Sequence, residues 1–238
     1  MPKIKPYKRI MLKFSGEVLK GNDEPIDFAV LEDLCKEIKA IHRKKIQIAV
    51  VVGGGNIWRY RDNKEKGMPR VESDFMGMMS TLMNAAAMRA TLERLGVPAR
   101  VLSALYVSEM GEPYLRRKGL DHLEHHRVVI CAGGTGHPFF TTDSAAALRG
   151  LELECDVFLK ATKVDGVYDK DPMKHKNATL FKTIDFDQVL EKKLEFMDTT
   201  ATALCREGKL PVVVFDLMKK GNLAKVVAGK SVGTMVHV

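Results

Sequence analysis

Ile46-Gln47-Ile48-Ala49-Val50-Val51-Val52-Gly53-Gly54-Gly55-Asn56 is a run rich in β-branched residues that stops abruptly in three glycines. A short, nearly continuous apolar run of this kind reads as a strand buried on both faces, as strands of parallel sheets are. The glycines allow backbone N–H groups to close on an anion. Working outward, five more runs share the pattern: Arg9 to Phe14, Ala99 to Ser103, Arg127 to Cys131, Asp156 to Lys160 and Pro211 to Phe215. Longer amphipathic stretches lie between them. After Asp27, a suitable cap, Phe28, Leu31, Leu34, Cys35, Ile38 and Ile41 recur at three- and four-residue steps and predict a helix. Further helices are expected over about Ser73 to Leu95, closed by Gly96 and Pro98, and over Ser144 to Leu151, Phe186 to Lys192 and Asp198 to Glu207. This alternation implies an α/β protein with a mainly parallel sheet. No repeat or linker divides the chain, so residues 1–238 are expected to form one domain whose halves are lobes of one sheet.

Composition narrows the function. With 238 residues, 45% hydrophobic and 29% charged, the chain can bury a substantial core. No apolar run approaches the roughly 18 residues of a membrane span. The N-terminal stretch Met1 to Lys13 has no continuous apolar signal region, and a cytoplasmic location is expected. Cys35, Cys131, Cys155 and Cys205 are far apart and form no CxxC, which supports neither a disulfide framework nor a zinc site. Thirty-eight Lys+Arg against 30 Asp+Glu give +8, favouring anionic ligands. With one Trp and five Tyr, and no aromatic interleaving of basic runs, nucleic acid is not the expected partner.

Four strand ends run into small or phosphate-friendly residues: Lys13-Phe14-Ser15-Gly16, Gly53-Gly54-Gly55-Asn56, Gly133-Gly134-Thr135-Gly136, and Lys160-Ala161-Thr162-Lys163 with Val164-Asp165-Gly166 beyond. The C-terminal ends of parallel strands share one edge, so these loops would converge on one crevice. Any one of them could be a plain turn. Together, with their lysines and hydroxyls, they point to phosphate. GxxxxGK[ST] and GxGxxG are absent, as are the HRD and DFG signatures of protein kinases.

The blocks Lys-Phe-Ser-Gly-Glu at 13–17, Val-Val-Gly-Gly-Gly-Asn at 51–56, Ala-Gly-Gly-Thr-Gly-His-Pro-Phe-Phe-Thr-Thr-Asp-Ser-Ala-Ala at 132–146 and Leu-Lys-Ala-Thr-Lys-Val-Asp-Gly-Val-Tyr at 159–168 resemble the bacterial-type UMP kinases of the amino acid kinase superfamily. The resemblance runs in order along essentially the whole chain. It implies a three-layer α/β/α sandwich, a homohexamer built from dimers, and transfer of a phosphoryl group from ATP to UMP. It also implies a UMP-binding lobe over about 1–150 and an ATP-binding lobe over about 151–238.

Lys13 would place a fixed positive charge on the transferring group, since phosphoryl transfer is mostly positioning and charge stabilisation. The alternative for it is a lysine snorkelling at a strand end. By resemblance Phe14, Ser15, Gly16, Gly54 and Gly55 surround the phosphates, Gly54 on the UMP side. The guanidinium of Arg59 can bridge both phosphates, unless it is a surface arginine like Arg61. Asp74 matches the residue that holds the UMP ribose, or is an acid favoured by a helix N-terminus. Thr135, Gly136, His137, Pro138, Phe139, Phe140, Thr141 and Thr142 would read uracil and its phosphate, although the phenylalanine pair could instead fill the core. Asp143 and Asp198 are the organising acids. An acceptor phosphate, with a second pKa of about 6, needs no general base, so both should orient Lys13, Mg²⁺ waters or backbone donors. Thr162, Lys163, Tyr168 and Asp171 match the donor-side positions, while Asp169, Asp171 and Pro172 also read as a turn.

Mg²⁺ should travel on the ATP phosphates, with no protein metal site. His122, His125 and His126 read as a polar helix end, and Met76, Met78, Met79, Met83 and Met88 as core or subunit contact. The chain departs from GTP-activated relatives at Gly21-Asn22-Asp23-Glu24-Pro25-Ile26-Asp27, shorter than their glycine-rich loop, so a weak or absent GTP response is expected. UTP is an expected feedback inhibitor by resemblance. The competing readings are a superfamily kinase for a carboxylate or carbamate and a nucleotide-binding storage or regulatory protein. The block Phe139 to Asp143, and Asp198 where the carboxylate kinases carry a lysine, count against the former.

Overall fold

The computed structural model describes residues 6–63 and 67–238; the first five residues of the N-terminal stretch considered above lie outside them. Among the described residues the strands are β1 (Arg9–Phe14), β2 (Gln47–Val52), β3 (Ala99–Ser103), β4 (Glu112–Pro113), β5 (Val128–Ala132), β6 (Val157–Thr162), β7 (Thr183–Asp185), β8 (Val212–Asp216) and β9 (Thr234–His237). The helices are α1 (Phe28–His42), α2 (Arg70–Arg94), α3 (Arg116–Glu124), α4 (Thr142–Glu152), α5 (Phe186–Glu191), α6 (Thr199–Glu207) and α7 (Asn222–Val227), with a 3₁₀ turn at Gly16–Leu19. All six expected strands and five expected helices are present. Most ends agree to within two residues, but α2 begins at Arg70, directly after Pro69. The short strands β4, β7 and β9 hold two to four residues each, too few for an alternation to declare itself.

The strands form one sheet in the order β4-β3-β5-β2-β1-β6-β8-β9-β7, parallel throughout except for the antiparallel pair β8 and β9. Its strand residues alternate between two cores. Ile10, Leu12 and Phe14 of β1, with Ile48, Val50 and Val52 of β2, pack under α1, α2 and α7. Met11, Ala49, Val51 and Phe158 pack on the other face, under α3, α4, α5 and α6. The result is the three-layer α/β/α sandwich. Because side chains alternate along a strand, Lys13, two residues beyond Met11, and Lys160, two beyond Phe158, fall on the α4 face at the strand ends.

Asp27 caps α1 as expected, accepting from the N–H groups of Ala29 (2.8 Å) and Val30 (3.1 Å). His122 is buried and bonded to Glu112 (3.0 Å) and Arg127 (2.7 Å). The methionines divide: Met78 and Met88 are core, whereas Met76, Met79 and Met83 join Val71 and Phe75 in an exposed apolar stripe along α2. The four cysteines are buried and free. Among the described residues, no helix is long and apolar enough to cross a membrane.

Candidate active site

The link from β1 to β2 carries α1 over one face of the sheet, while the link from β5 to β6 carries α4 over the other. Connections thus diverge around the ends of β1 and β2, where open α/β sheets bind ligands. A cavity of 610 Å³ opens there, lined by three of the four loops singled out above together with the first turns of α2.

Two of the glycines in these loops are required by close backbone approach. A Cβ on Gly16 would stand 2.3 Å from both Asn56 Oδ1 and the Gly53 carbonyl oxygen, and one on Gly54 would stand 2.5 Å from the Gly77 carbonyl oxygen. Asn56 cannot yield, because its amide and that of Asn84 donate to each other at 2.9 and 2.8 Å, and Asn84 also donates to the Gly53 carbonyl at 2.8 Å. Gly16→Ala is therefore expected to destabilise the fold by about 1–3 kcal/mol through overpacking. A urea titration read by tryptophan fluorescence checks this; an unchanged midpoint would contradict it. Arg59 folds back over Gly55 and pairs with Glu17 at the cavity wall.

The third loop is bent by Gly133, Gly134 and Gly136, with φ of 74°, 60° and 85°, and by Phe139 at 70°. Gly133 N–H donates to Thr81 Oγ1 at 2.8 Å, fixing the loop to α2. Asp74 makes a second tie: its Oδ2 accepts from Phe139 N–H at 2.8 Å and from Arg70 Nε at 2.7 Å. Arg70 in turn lies over the rings of Tyr60 (4.6 Å) and Phe139 (5.6 Å). Asp74 is a full turn into α2, where it serves as a bridge to the third loop and not as an acid at the helix start. Phe139 and Phe140 are exposed by 65% and 48%, so neither fills the core.

Behind the cavity lies a buried charge cluster. Asp143, at the start of α4, is approached by Lys13 Nζ at 2.7 Å on Oδ1 and hydrogen bonded by Lys160 Nζ on Oδ2. Both lysines are only 8% exposed, so Lys13 is held in an ion pair and does not snorkel. Burial is the largest influence on Asp143 and opposes its charge, but the ammonium groups of Lys13 and Lys160 together outweigh it and hold the carboxyl below its ordinary value. Lys160 is pushed below the ordinary lysine value, first by burial and then by the charge of Lys13. Asp198 caps α6 through Ala201 N–H (2.9 Å) and accepts from Thr141 Oγ1 (2.5 Å) and Ser144 Oγ (2.9 Å), joining the starts of α4 and α6. Asp143 thus orients lysines, and Asp198 orients hydroxyls and a backbone donor. Both carboxylates are engaged by protein groups, which suits a Mg²⁺ that arrives on a triphosphate.

Lys13, Ser15, Gly54, Gly55, Arg59 and Asp74 line the cavity, as do Thr135, His137, Phe140, Thr141 and Thr142. Gly16, Gly136, Pro138 and Phe139 shape the loops without lining it. Phe14 turns its ring into the core, leaving only its backbone near the strand end, where its carbonyl accepts from Gly53 N–H at 3.1 Å. Thr162, Tyr168 and Asp171 line a second cavity of 440 Å³ beyond the end of β6, with Lys170, Lys192 and Lys193. Lys163 lines neither cavity. Asp171 also makes the anticipated turn, accepting from Met173 N–H at 2.9 Å. Sequence reasoning named none of Lys160, Arg70, Thr81 and Asn84 as site residues. For Lys160 a signal existed: it closes the expected run Asp156 to Lys160 and opens the fourth phosphate-friendly segment, and the structure makes it the register partner of Lys13.

Residues 8–216 match the amino acid kinase family. Among solved structures, the UMP kinase from Bacillus anthracis is 33% identical with a TM-score of 0.95, over 98% of this chain and 97% of that one. The UMP kinase from Ureaplasma parvum is 39% identical with a TM-score of 0.92, over 97% of this chain and 99% of that one. The uridylate kinase from Archaeoglobus fulgidus is 26% identical with a TM-score of 0.73, over 95% and 99%.

Proposed function

Because the chain belongs to the amino acid kinase family, we propose that it transfers the γ-phosphoryl group of ATP to UMP, giving ADP and UDP. The observation that carries the reading is the 39% identity to a UMP kinase across nearly the whole of both chains. The two cavities support a division of labour. UMP would occupy the larger one, within residues 1–150, its ribose on Asp74 and its base against the loop of Thr135 to Phe140. The adenosine of Mg-ATP would occupy the one within residues 151–238, beside Tyr168 and Asp171.

The phosphates would then meet in the larger cavity beside Lys13, Ser15, Gly54 and Gly55, which line it. Arg59 would exchange Glu17 for phosphate oxygens, which its planar fork of donors matches. As the γ-phosphoryl group passes between oxygens, charge shifts onto its leaving and equatorial oxygens. Fixed cations stabilise that charge without reorganising. Mg²⁺ carried on ATP would supply further neutralisation of phosphate charge.

The exposed stripe of Val71, Phe75, Met79 and Met83 supports assembly into a homo-oligomer, the hexamer being the form proposed, and the free buried cysteines fit a reducing cytoplasm. UTP, which shares the uridine moiety, would compete for the UMP cavity.

Release of ADP from Mg-ATP, measured with UMP, CMP, dUMP, acetylglutamate and aspartate, tests the assignment. Turnover on UMP with little on the carboxylates is the expected result. Turnover on acetylglutamate or aspartate instead would replace it with carboxylate phosphorylation, and tight ATP binding without turnover would leave a storage or regulatory protein.

A further inference from the structure

Lys13 and Lys160 are register partners on adjacent strands and share one carboxylate, that of Asp143. The cluster therefore sets two cations on one carboxylate in a buried setting, while the charge of Asp198 acts on Lys160 and not through a direct ion pair. Its two contacts are unequal. Lys160 makes a directed hydrogen bond to Oδ2, whereas the approach of Lys13 to Oδ1 leaves that oxygen without a directed donor. Lys13 lines the cavity and Lys160 does not. The neighbouring carboxylate, Asp198, is occupied by Thr141, Ser144 and Ala201, so it does not take Lys160 from Asp143.

We infer that Lys160 is a positioning residue for phosphoryl transfer: by taking up the charge of Asp143 it leaves the charge of Lys13 uncompensated and turned toward the cavity. The inference rests on the phosphoryl-transfer reading above. Without Lys160, Lys13 and Asp143 would form a neutral pair, and the ammonium that should meet the transferring group would be spent on the protein's own carboxylate. With Lys160 present, Asp143 fixes Lys13 in place while its charge is shared with a second ammonium and does not neutralise Lys13 alone. Such a residue acts in the transition state, where charge shifts, more than in binding.

The test compares wild type, Lys160→Met, Lys160→Arg, Lys160→Gln and the double variant Lys160→Met/Asp143→Asn with Mg-ATP and UMP. Lys160→Met should lower kcat about 100-fold while both KM values stay within about threefold, and Lys160→Arg should recover at least about tenfold of that loss. The double variant should turn over faster than Lys160→Met, because removing the carboxylate frees Lys13 again. A purely structural role would not produce that reversal. Lys160→Gln, which keeps a donor to Asp143 and removes only the charge, should lose kcat in the same way and serves if the methionine variant does not fold. A kcat within about threefold of wild type, a loss carried by KM, or a double variant slower than Lys160→Met would overturn the inference. Wild type that turns over no acceptor would instead refute the kinase reading. The positioning role falls with that reading, whereas its electrostatic premise is decided separately on the free protein, by carbon NMR of the Asp143 carboxyl: its titration should move to higher pH in Lys160→Gln, and an unchanged titration would overturn the inference even where UMP is turned over.

Discussion

Lys13→Met is expected to reduce kcat by about 10³-fold, near 4 kcal/mol of transition-state stabilisation, while UMP and Mg-ATP still bind within severalfold of wild type. The side chain stands near the end of a strand whose Ile10, Met11, Leu12 and Phe14 are locked in two cores, so its ammonium cannot wander, and its placement costs nothing at the moment of reaction. Methionine preserves length and packing but removes the charge. On the proposed function, ground-state affinity should survive because Arg59, Mg²⁺ and the backbone donors of the glycine loops would also hold the phosphates. Steady-state kinetics and calorimetric titration of each nucleotide separate the two quantities. A large rise in KM with kcat intact would show that Lys13 serves binding, and would remove it from the catalytic step.

Asp143→Ala should destabilise the protein by about 3–5 kcal/mol at neutral pH, because it leaves two buried ammonium groups without their counter-ion. The loss is larger than for an exposed pair, since both lysines are only 8% exposed. Its pH dependence follows from the carboxyl being held below its ordinary value. Above the unfolded-state value of about 3.9 the ionised carboxylate contributes its full stabilisation; that contribution disappears as the pH falls through the lower folded-state value. The gap between wild type and Asp143→Ala should therefore be widest near neutrality and close in acid. Denaturant unfolding across a pH series measures it, and a gap that does not change with pH would mean that the carboxylate charge is not what stabilises the cluster.

The strands and helices that build the sandwich were legible because burial on both faces forces short β-branched runs and amphipathic periods. β1 was read to the residue, and α1 was read from its cap and its three- and four-residue steps. The short strands β4, β7 and β9 were not legible, because their pairing is decided by neighbours remote in sequence. The site divided in the same way. Glycines, Lys13 and Asp143 lie inside contiguous blocks that proclaim a phosphate crevice. Asn84 is the opposite case: a lone amide in a helix, its purpose set by a loop 31 residues before it, at Gly53. Arg70 likewise acquires its role only when Tyr60 and Phe139 arrive on either side of it.

α2 presents two unlike surfaces along the same 25 residues. Asp74, Gly77, Met78 and Thr81 face the larger cavity, while Val71, Phe75, Met79 and Met83 form the apolar stripe. A helix of that length is a stiff rod, and here no hinge separates its two surfaces. Whatever seats against the stripe therefore has a mechanical connection to the nucleotide: a tilt of the rod by a few degrees is felt as a change in the reach of Asp74, with no segment between them to absorb it.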